Sequence, residues 1–425
     1  MEASGSMARW LILVAIIAFA PGCAPRPWIS AARSGSLTDL QRYVEIAAER
    51  KQLNQARTAE LAEAVAEREI ATASDAMAYE RIAGLRSCAA DLCWPLRRRA
   101  KGADDVAAAA SLVLLEAGLL EELPASASLG RTDTGAWRAF AARMAVEPGQ
   151  RARVYTALVD PDRRVRHAAI EAILSSPVPG DGRNLVEVAR LDPDISLRRK
   201  ALLALGETGE FDSLLEAREF WDSMVEASRL AYLQALNAPL ARKRGGDMIL
   251  TRIMESNDSL EGAVAASLLY RQRAPGYAAS RLLHALHEGS LSEKLLALAS
   301  LSPSEPDMQR EVLSIAQSDS PYLRIAALEL TLKAPTEAGK ALNRLQAIAL
   351  SKDADSFEAA KILAMRGDEA SIVRVERQLS TPLAAERLAA ARLLFKVKRW
   401  SAVARALADD HPDVRLATAC DVLSQ

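Results

Sequence analysis

The chain has 425 residues, of which 50% are hydrophobic and only 4% are aromatic. Its 54 basic residues nearly balance its 55 acidic residues, so charge gives no basis for binding nucleic acid. Glycine is scarce, at 20 residues, and strands joined by tight turns are therefore not expected to dominate the fold.

The first predicted element is a secretory signal over residues 1–22. Arg9 precedes an apolar run, Trp10–Ala20, which is shorter than the roughly 20 residues that a membrane-spanning helix needs. The segment AFAPGCA resembles a bacterial lipobox, with Cys23 as the modified residue. The resemblance implies cleavage before Cys23 and an acyl anchor, such as palmitate, at this residue. Ala24 is not the acidic residue that retains some such proteins in the inner membrane, so we expect the outer membrane, facing the periplasm. A freely secreted protein and an uncleaved anchor are the alternatives.

Residues 23–35, CAPRPWISAARSG, are predicted to form an irregular tether because Pro and Gly discourage regular structure. Residues 36–123 are predicted as an N-terminal helical region, with segments such as DDVAAAASLVLLEAGLLEEL. These helices do not fit the later repeat clearly, so they are either degenerate repeats that cap the array or a separate bundle. The turn-rich segment PASASLGRTDTG, at 124–135, is the predicted boundary.

Cys88 and Cys93 stand in RSCAADLCWPL, and an oxidising periplasm favours a local disulfide between them. Residues five apart do not face each other on a helix, so this bond requires a bend, for which the following Pro95 supplies a helix end. The alternative is two buried thiols at helix ends. Cys420, in RLATACDVL, is predicted to be a core residue.

From about residue 150 the chain repeats a turn and a helix opened by a basic residue. A small residue follows three positions later, as at Ala169, and apolar residues follow at four and seven, as at Ile170 and Ile173. These offsets lie on one face of an α-helix. Each repeated helix is preceded by a second helical segment. The pattern therefore predicts about nine helix–turn–helix units of roughly 30 residues each. The markers are Arg166, Arg198, Lys294, Arg324, Arg387 and Arg415.

The polar residues of the repeat are predicted to be structural. Asp162 and Asp194 precede the repeat helices and can cap their free N–H groups. Each marker arginine can reach a turn carboxylate of the adjacent unit, which would make a ladder along the array. The last unit ends at DVLSQ without a further capping helix, so its outer face is expected either to meet a partner or to be polar.

The segments DPDRRVRHAAIEAIL and DDHPDVRLATACDVL resemble HEAT repeats of the short kind also found in phycobilisome bilin lyases. The resemblance covers about residues 150–425. It implies an all-α solenoid of stacked antiparallel helix pairs, assigned here to residues 136–425, and it carries over no lyase residues.

Sequence motifs give little sign of catalysis. His284 and His287 are spaced for a metal. However, His287 is near a helix C-terminus, where the helix dipole already favours a histidine. No metal, cofactor or small-molecule substrate is predicted. The leading hypothesis is a non-enzymatic, envelope-anchored scaffold for a protein or peptide. The alternatives are an accessory subunit or lyase-like enzyme that grips a cofactor, and a structural spacer.

Overall fold

The chain is α-helical in the part that the computed structural model describes, which is residues 26–75, 77–122, 134–256, 259–272, 276–301 and 306–425. Within these ranges there is no β-strand, and neighbouring helices pack in pairs. The predicted all-α, solenoid-like fold is therefore confirmed. The predicted signal, Cys23 and most of the predicted boundary at 124–135 lie outside the described residues.

The described residues form two compact units. The terminal unit contains residues 26–73, 87–95 and 376–425, and the central unit contains residues 74–86 and 96–375. This division differs from the predicted one, which kept residues 36–123 together and apart from the repeats. Residues from that segment belong to both units.

The central unit is built on a row of helices, each packed against the next in chain order. These helices are Ala78–Ala83, Asp105–Glu116, Gly135–Met144, Arg163–Ser175, Ile195–Thr208, Glu226–Leu236, Leu260–Arg271, Leu291–Ser300, Pro321–Thr331 and Ser356–Ala364.

Second helices pack against this row and complete the helix pairs: Arg151–Ala157, Asp181–Leu191, Phe211–Arg218, Gly246–Ser256, Gly276–Glu288, Pro306–Ile315 and Ala338–Leu350. The chain also has helices at Cys93–Ala100, Pro239–Lys243 and Glu369–Arg377. Its 3-10 turns are Gly84–Cys88, Pro148–Gln150, Trp221–Ser223 and Gln378–Ser380.

Small side chains allow the row helices to approach closely. The predicted small positions are buried in every marked repeat, at Ala169, Ala201, Ala297, Ala327, Ala390 and Thr418. Gly206 shows how tight the contact can be, because a Cβ atom added there would lie 2.7 Å from the Cα atom of Ala235 on the next helix. The repeated three-four-seven pattern thus describes the buried face of each marked repeat helix.

Side chains cap the repeat helices, as the sequence predicts. Asp162 accepts a hydrogen bond from the Arg164 N–H at 2.8 Å, and Asp194 accepts one from the Ser196 N–H at 2.7 Å. Both bonds satisfy N–H groups that have no partner inside the helix. The turn residues therefore define where each helix begins.

The terminal unit joins helices from the two ends of the chain. Its helices are Pro27–Ser34, Leu37–Glu49, Gln55–Thr72, Ala384–Lys396, Trp400–Leu407 and Pro412–Leu423. The last of these packs extensively against Gln55–Thr72. The expectation that the outer face of the last repeat is open to a partner is therefore wrong, since the protein's own N-terminal helix covers it.

The predicted tether over residues 23–35 is wrong from residue 26 onward. Pro27–Ser34 is a helix that begins with proline in its first turn and ends at Gly35, whose φ of 77° is left-handed. Proline is favoured at the first helical position, and glycine is favoured just after the end, so these residues delimit a helix here. Its Trp28 and Ile29 side chains are buried.

The predicted disulfide between Cys88 and Cys93 is also wrong. Cys88 bonds to Cys420, with 5.3 Å between their Cα atoms, and Cys93 is a free thiol. Cys88 ends a 3-10 turn and is fully buried, and Cys420 lies on the buried face of Pro412–Leu423 in the same unit. Packing brings together two cysteines that are 332 residues apart in sequence.

Candidate functional site

The repeats are linked by arginines that bind the turns on both sides of their helices. The Arg166 Nη1 donates to the carbonyl oxygens of Asp160 and Pro161, at 2.8 and 3.0 Å, in the turn before its own helix. Its Nε and Nη2 donate to the two carboxylate oxygens of Asp192 in the next turn, at 2.7 and 3.2 Å. One buried guanidinium therefore connects two consecutive units.

The same arrangement recurs at other predicted markers. Arg324 binds Asp355, Arg387 binds Asp409, and each also donates to a carbonyl of its own turn. Arg415 binds Glu69 inside the terminal unit, and so connects the last repeat to an N-terminal helix. We call each such arginine–carboxylate pair a rung.

Three of the predicted ladder residues, Asp162, Asp194 and Arg198, do not form rungs. Asp162 and Asp194 are helix caps, and the carboxylate that accepts the Arg166 rung is Asp192, two residues before Asp194. The Arg198 Nε has no hydrogen-bond partner among the residues that the structure describes. Asp192, the partner of Arg166, lies six residues before the next marker, Arg198. The partner of Arg198 would correspondingly lie six residues before Arg229. That residue is Ser223, so a matching carboxylate is missing.

At most rungs both oxygens of the carboxylate accept hydrogen bonds. Asp192 and Asp409 each accept from one guanidinium through both oxygens, and each also accepts the backbone N–H two residues later, at 2.8 Å. Asp160 is bound in the same way by Arg138, which holds the pKa of its carboxyl below its usual range despite partial burial. At these three rungs each carboxylate oxygen therefore accepts at least one hydrogen bond.

The Asp355 rung is different. Arg324 donates twice to its Oδ2 oxygen, at 3.0 and 2.6 Å, while Oδ1 is buried and has no hydrogen-bond partner within the described residues. Asp355 directly precedes its helix in a right-handed helical conformation and makes no capping bond. It therefore lacks the backbone donor that the turn supplies at the Asp160, Asp192 and Asp409 rungs.

A groove of about 250 Å³ lies beside this carboxylate, between the row helices near residues 295, 325 and 358. Leu295, Ile325 and Ala326 supply apolar walls. Tyr322 lies at its edge and is 67% exposed. We call this feature, with its carboxylates Glu329, Asp355 and Glu358, the Asp355 groove.

A second group of charges lies on the row helices near the start of the central unit. Lys200 pairs with Glu171, and its Nζ lies 2.7 Å from the His167 Nε2. Burial and the Lys200 charge lower the pKa of His167 to about 4. Burial raises the pKa of Glu116, which also pairs with Arg143 at 3.6 Å. Since these groups neutralise one another, we interpret the cluster as structural.

The histidines singled out from the sequence do not form a metal centre in the structure. The His287 Nε2 lies 3.4 Å from a carboxylate oxygen of Glu311, and His284 is exposed. In the described ranges, no group of three or more His, Cys, Asp or Glu side chains is arranged to hold a metal ion.

Comparisons with family models and with curated proteins find no match to this chain. The described residues define its class as an all-α, solenoid-like protein made of neighbouring helix pairs. In the same residues, no helix combines the length and apolar character that crossing a bilayer requires.

Proposed function

We propose that this protein is a binding scaffold of the bacterial envelope, built from HEAT-like repeats and anchored through a lipid on Cys23. The apolar run and the lipobox-like AFAPGCA support the anchor, because several acyl chains give stable membrane attachment. The repeated D-P-D turns and basic markers support the HEAT assignment. Stacked helix pairs of this kind present long surfaces that bind proteins or peptides.

The Asp355 groove is the observation that carries the proposal. It combines apolar walls, an exposed aromatic ring and a buried carboxylate oxygen that needs a donor. Burying an unsatisfied carboxylate oxygen is costly, and a ligand that supplies a donor removes that cost. At about 250 Å³ the groove is smaller than the roughly 300–1,000 Å³ of small-molecule pockets. This volume favours side chains of a protein segment over a cofactor.

Photocrosslinking in the native envelope tests the binding function. We would replace Tyr322 with a photoreactive phenylalanine and use Tyr277, another exposed tyrosine at 81% exposure, as the matched control position. We expect one defined protein to crosslink from position 322 and not from 277. That protein, once purified, should bind the purified chain at least tenfold more weakly after Tyr322→Ala, with Tyr277→Ala unchanged. Equal labelling from both positions would contradict a binding role for the groove.

The proposed anchor has its own test. Cells grown with a clickable palmitate analogue should label the wild-type chain and move it to the membrane fraction. Cys23→Ser should lose both the label and the membrane association, whereas Cys93→Ser, which removes another free thiol, should keep them. Retained label in Cys23→Ser would contradict lipidation at this residue.

A further inference from the structure

The Asp355 groove has the chemistry of a receptor for one cationic side chain. We propose that it binds an arginine of a partner segment that carries an apolar residue beside it. This inference rests on the proposed binding function and specifies the ligand of the same groove.

The free oxygen of Asp355 determines what must be bound. The residue lines the groove and is 3% exposed, its Oδ2 is occupied by Arg324, and its Oδ1 is buried without a hydrogen bond in the described structure. A carboxylate oxygen accepts and cannot donate, so the ligand must present an N–H or O–H group. A charged donor makes the stronger bond, particularly where water is largely excluded.

The charge around the groove favours a cation. Glu329, Asp355 and Glu358 contribute three negative charges. Arg324 neutralises one of them, and Lys361 pairs with Glu358 at 2.6 Å, which leaves one net negative charge. An anionic ligand would be repelled, and a neutral one would leave this charge uncompensated.

The remaining walls distinguish arginine from smaller cations. The three carboxylates are not arranged to hold a metal ion within the described part of the chain. Leu295 and Ile325 provide apolar surface for the methylene stem of a long side chain, and the exposed Tyr322 ring provides a face for a guanidinium. A planar guanidinium stacks on aromatic rings and can donate to two carboxylate oxygens at once, which an ammonium does less well.

The test uses two dipeptides that differ only in the end of one side chain, a charged guanidinium in one and a neutral ureido group in the other. Acetyl-leucyl-arginine amide is titrated into the purified full chain labelled at isoleucine methyl groups, and acetyl-leucyl-citrulline amide is its uncharged counterpart. We expect a saturable shift of the Ile325 methyl resonance, assigned with Ile325→Val, and at least tenfold weaker binding of the citrulline peptide. Raising the salt concentration should weaken only the arginine peptide.

Two variants locate the effect. Tyr322→Ala and Glu358→Gln change exposed side chains, so both should fold normally, and each should weaken arginine-peptide binding at least threefold. Tyr277→Ala should leave it unchanged. Equal binding of arginine and citrulline peptides, or a shift confined to residues outside the groove, would overturn the arginine assignment. The assignment would then fail while crosslinking from position 322 could still support a binding scaffold.

Discussion

The rung between Arg166 and Asp192 gives the sharpest prediction about stability. Both side chains are almost fully buried, with 9% and 2% of their surfaces exposed, and the guanidinium makes four hydrogen bonds. Arg166→Met keeps the apolar stem but leaves the Asp192 carboxylate buried without its cation. Breaking a buried ion pair from one side costs about 3–5 kcal/mol, so we expect a loss of this size.

The matched control is Arg163→Ala. Arg163 lies on the same helix as Arg166 and pairs with Asp194, but 57% of its side chain is exposed, and exposed pairs contribute below about 1 kcal/mol. The double variant Arg166→Met with Asp192→Asn removes the buried charge while keeping an acceptor for the Asp194 N–H. It should therefore be more stable than Arg166→Met alone.

Urea unfolding combined with native-state hydrogen exchange measures these effects. Each unit of a stacked array contacts mainly its neighbours, so the loss should concentrate in the helices Arg163–Ser175 and Ile195–Thr208. The reasoning would be refuted if Arg166→Met cost no more than Arg163→Ala, or if the double variant were as unstable as the sum of its single changes.

Three further predictions concern pH, helix packing and the disulfide. Because the pKa of His167 is lowered from 6.5 to about 4, the unfolded chain binds a proton below about pH 6.5 that the folded chain does not take up until about pH 4. The free energy of unfolding should therefore decrease by at most about 3 kcal/mol as the pH falls through this window. The unfolding temperature of His167→Gln should depend less on pH than that of the wild type. The control His284→Gln, which changes an exposed histidine, should match the wild type. Gly206→Ala should destabilise by about 1–3 kcal/mol in urea titrations despite its better helix propensity, while Gly339→Ala, where a Cβ meets no atom within 4 Å, should not. Peptide mapping without reduction should find Cys88 linked to Cys420 and not to Cys93. Because this bond closes a long loop, its reduction should lower the unfolding temperature. An unchanged unfolding temperature would contradict a stabilising role for the disulfide.

The groove illustrates how far sequence reasoning reaches. Arg324 was identified as a structural marker, and its carboxylate partner was expected in the adjacent unit. The unpartnered oxygen of Asp355 could not be predicted, because it depends on the local backbone directly before a helix. A signal was present, since DADSF lacks the D-P-D turn that stands at the Asp160 and Asp192 rungs.

The sequence by itself determined the repeat helices, their buried faces and their caps. These features depend on spacings of two to seven residues, which are set by the geometry of a single helix and its turn. The small buried residue at Ala169 and the cap at Asp162 are both of this kind.

Only the tertiary structure decided which distant segments meet. The pairing of Cys88 with Cys420, the rung from Arg415 to Glu69 and the cover over the last repeat all join residues more than 300 positions apart. No local pattern encodes such contacts, because several apolar helix faces in the chain could bury one another equally well. The choice between them depends on the free energy of the packed unit as a whole.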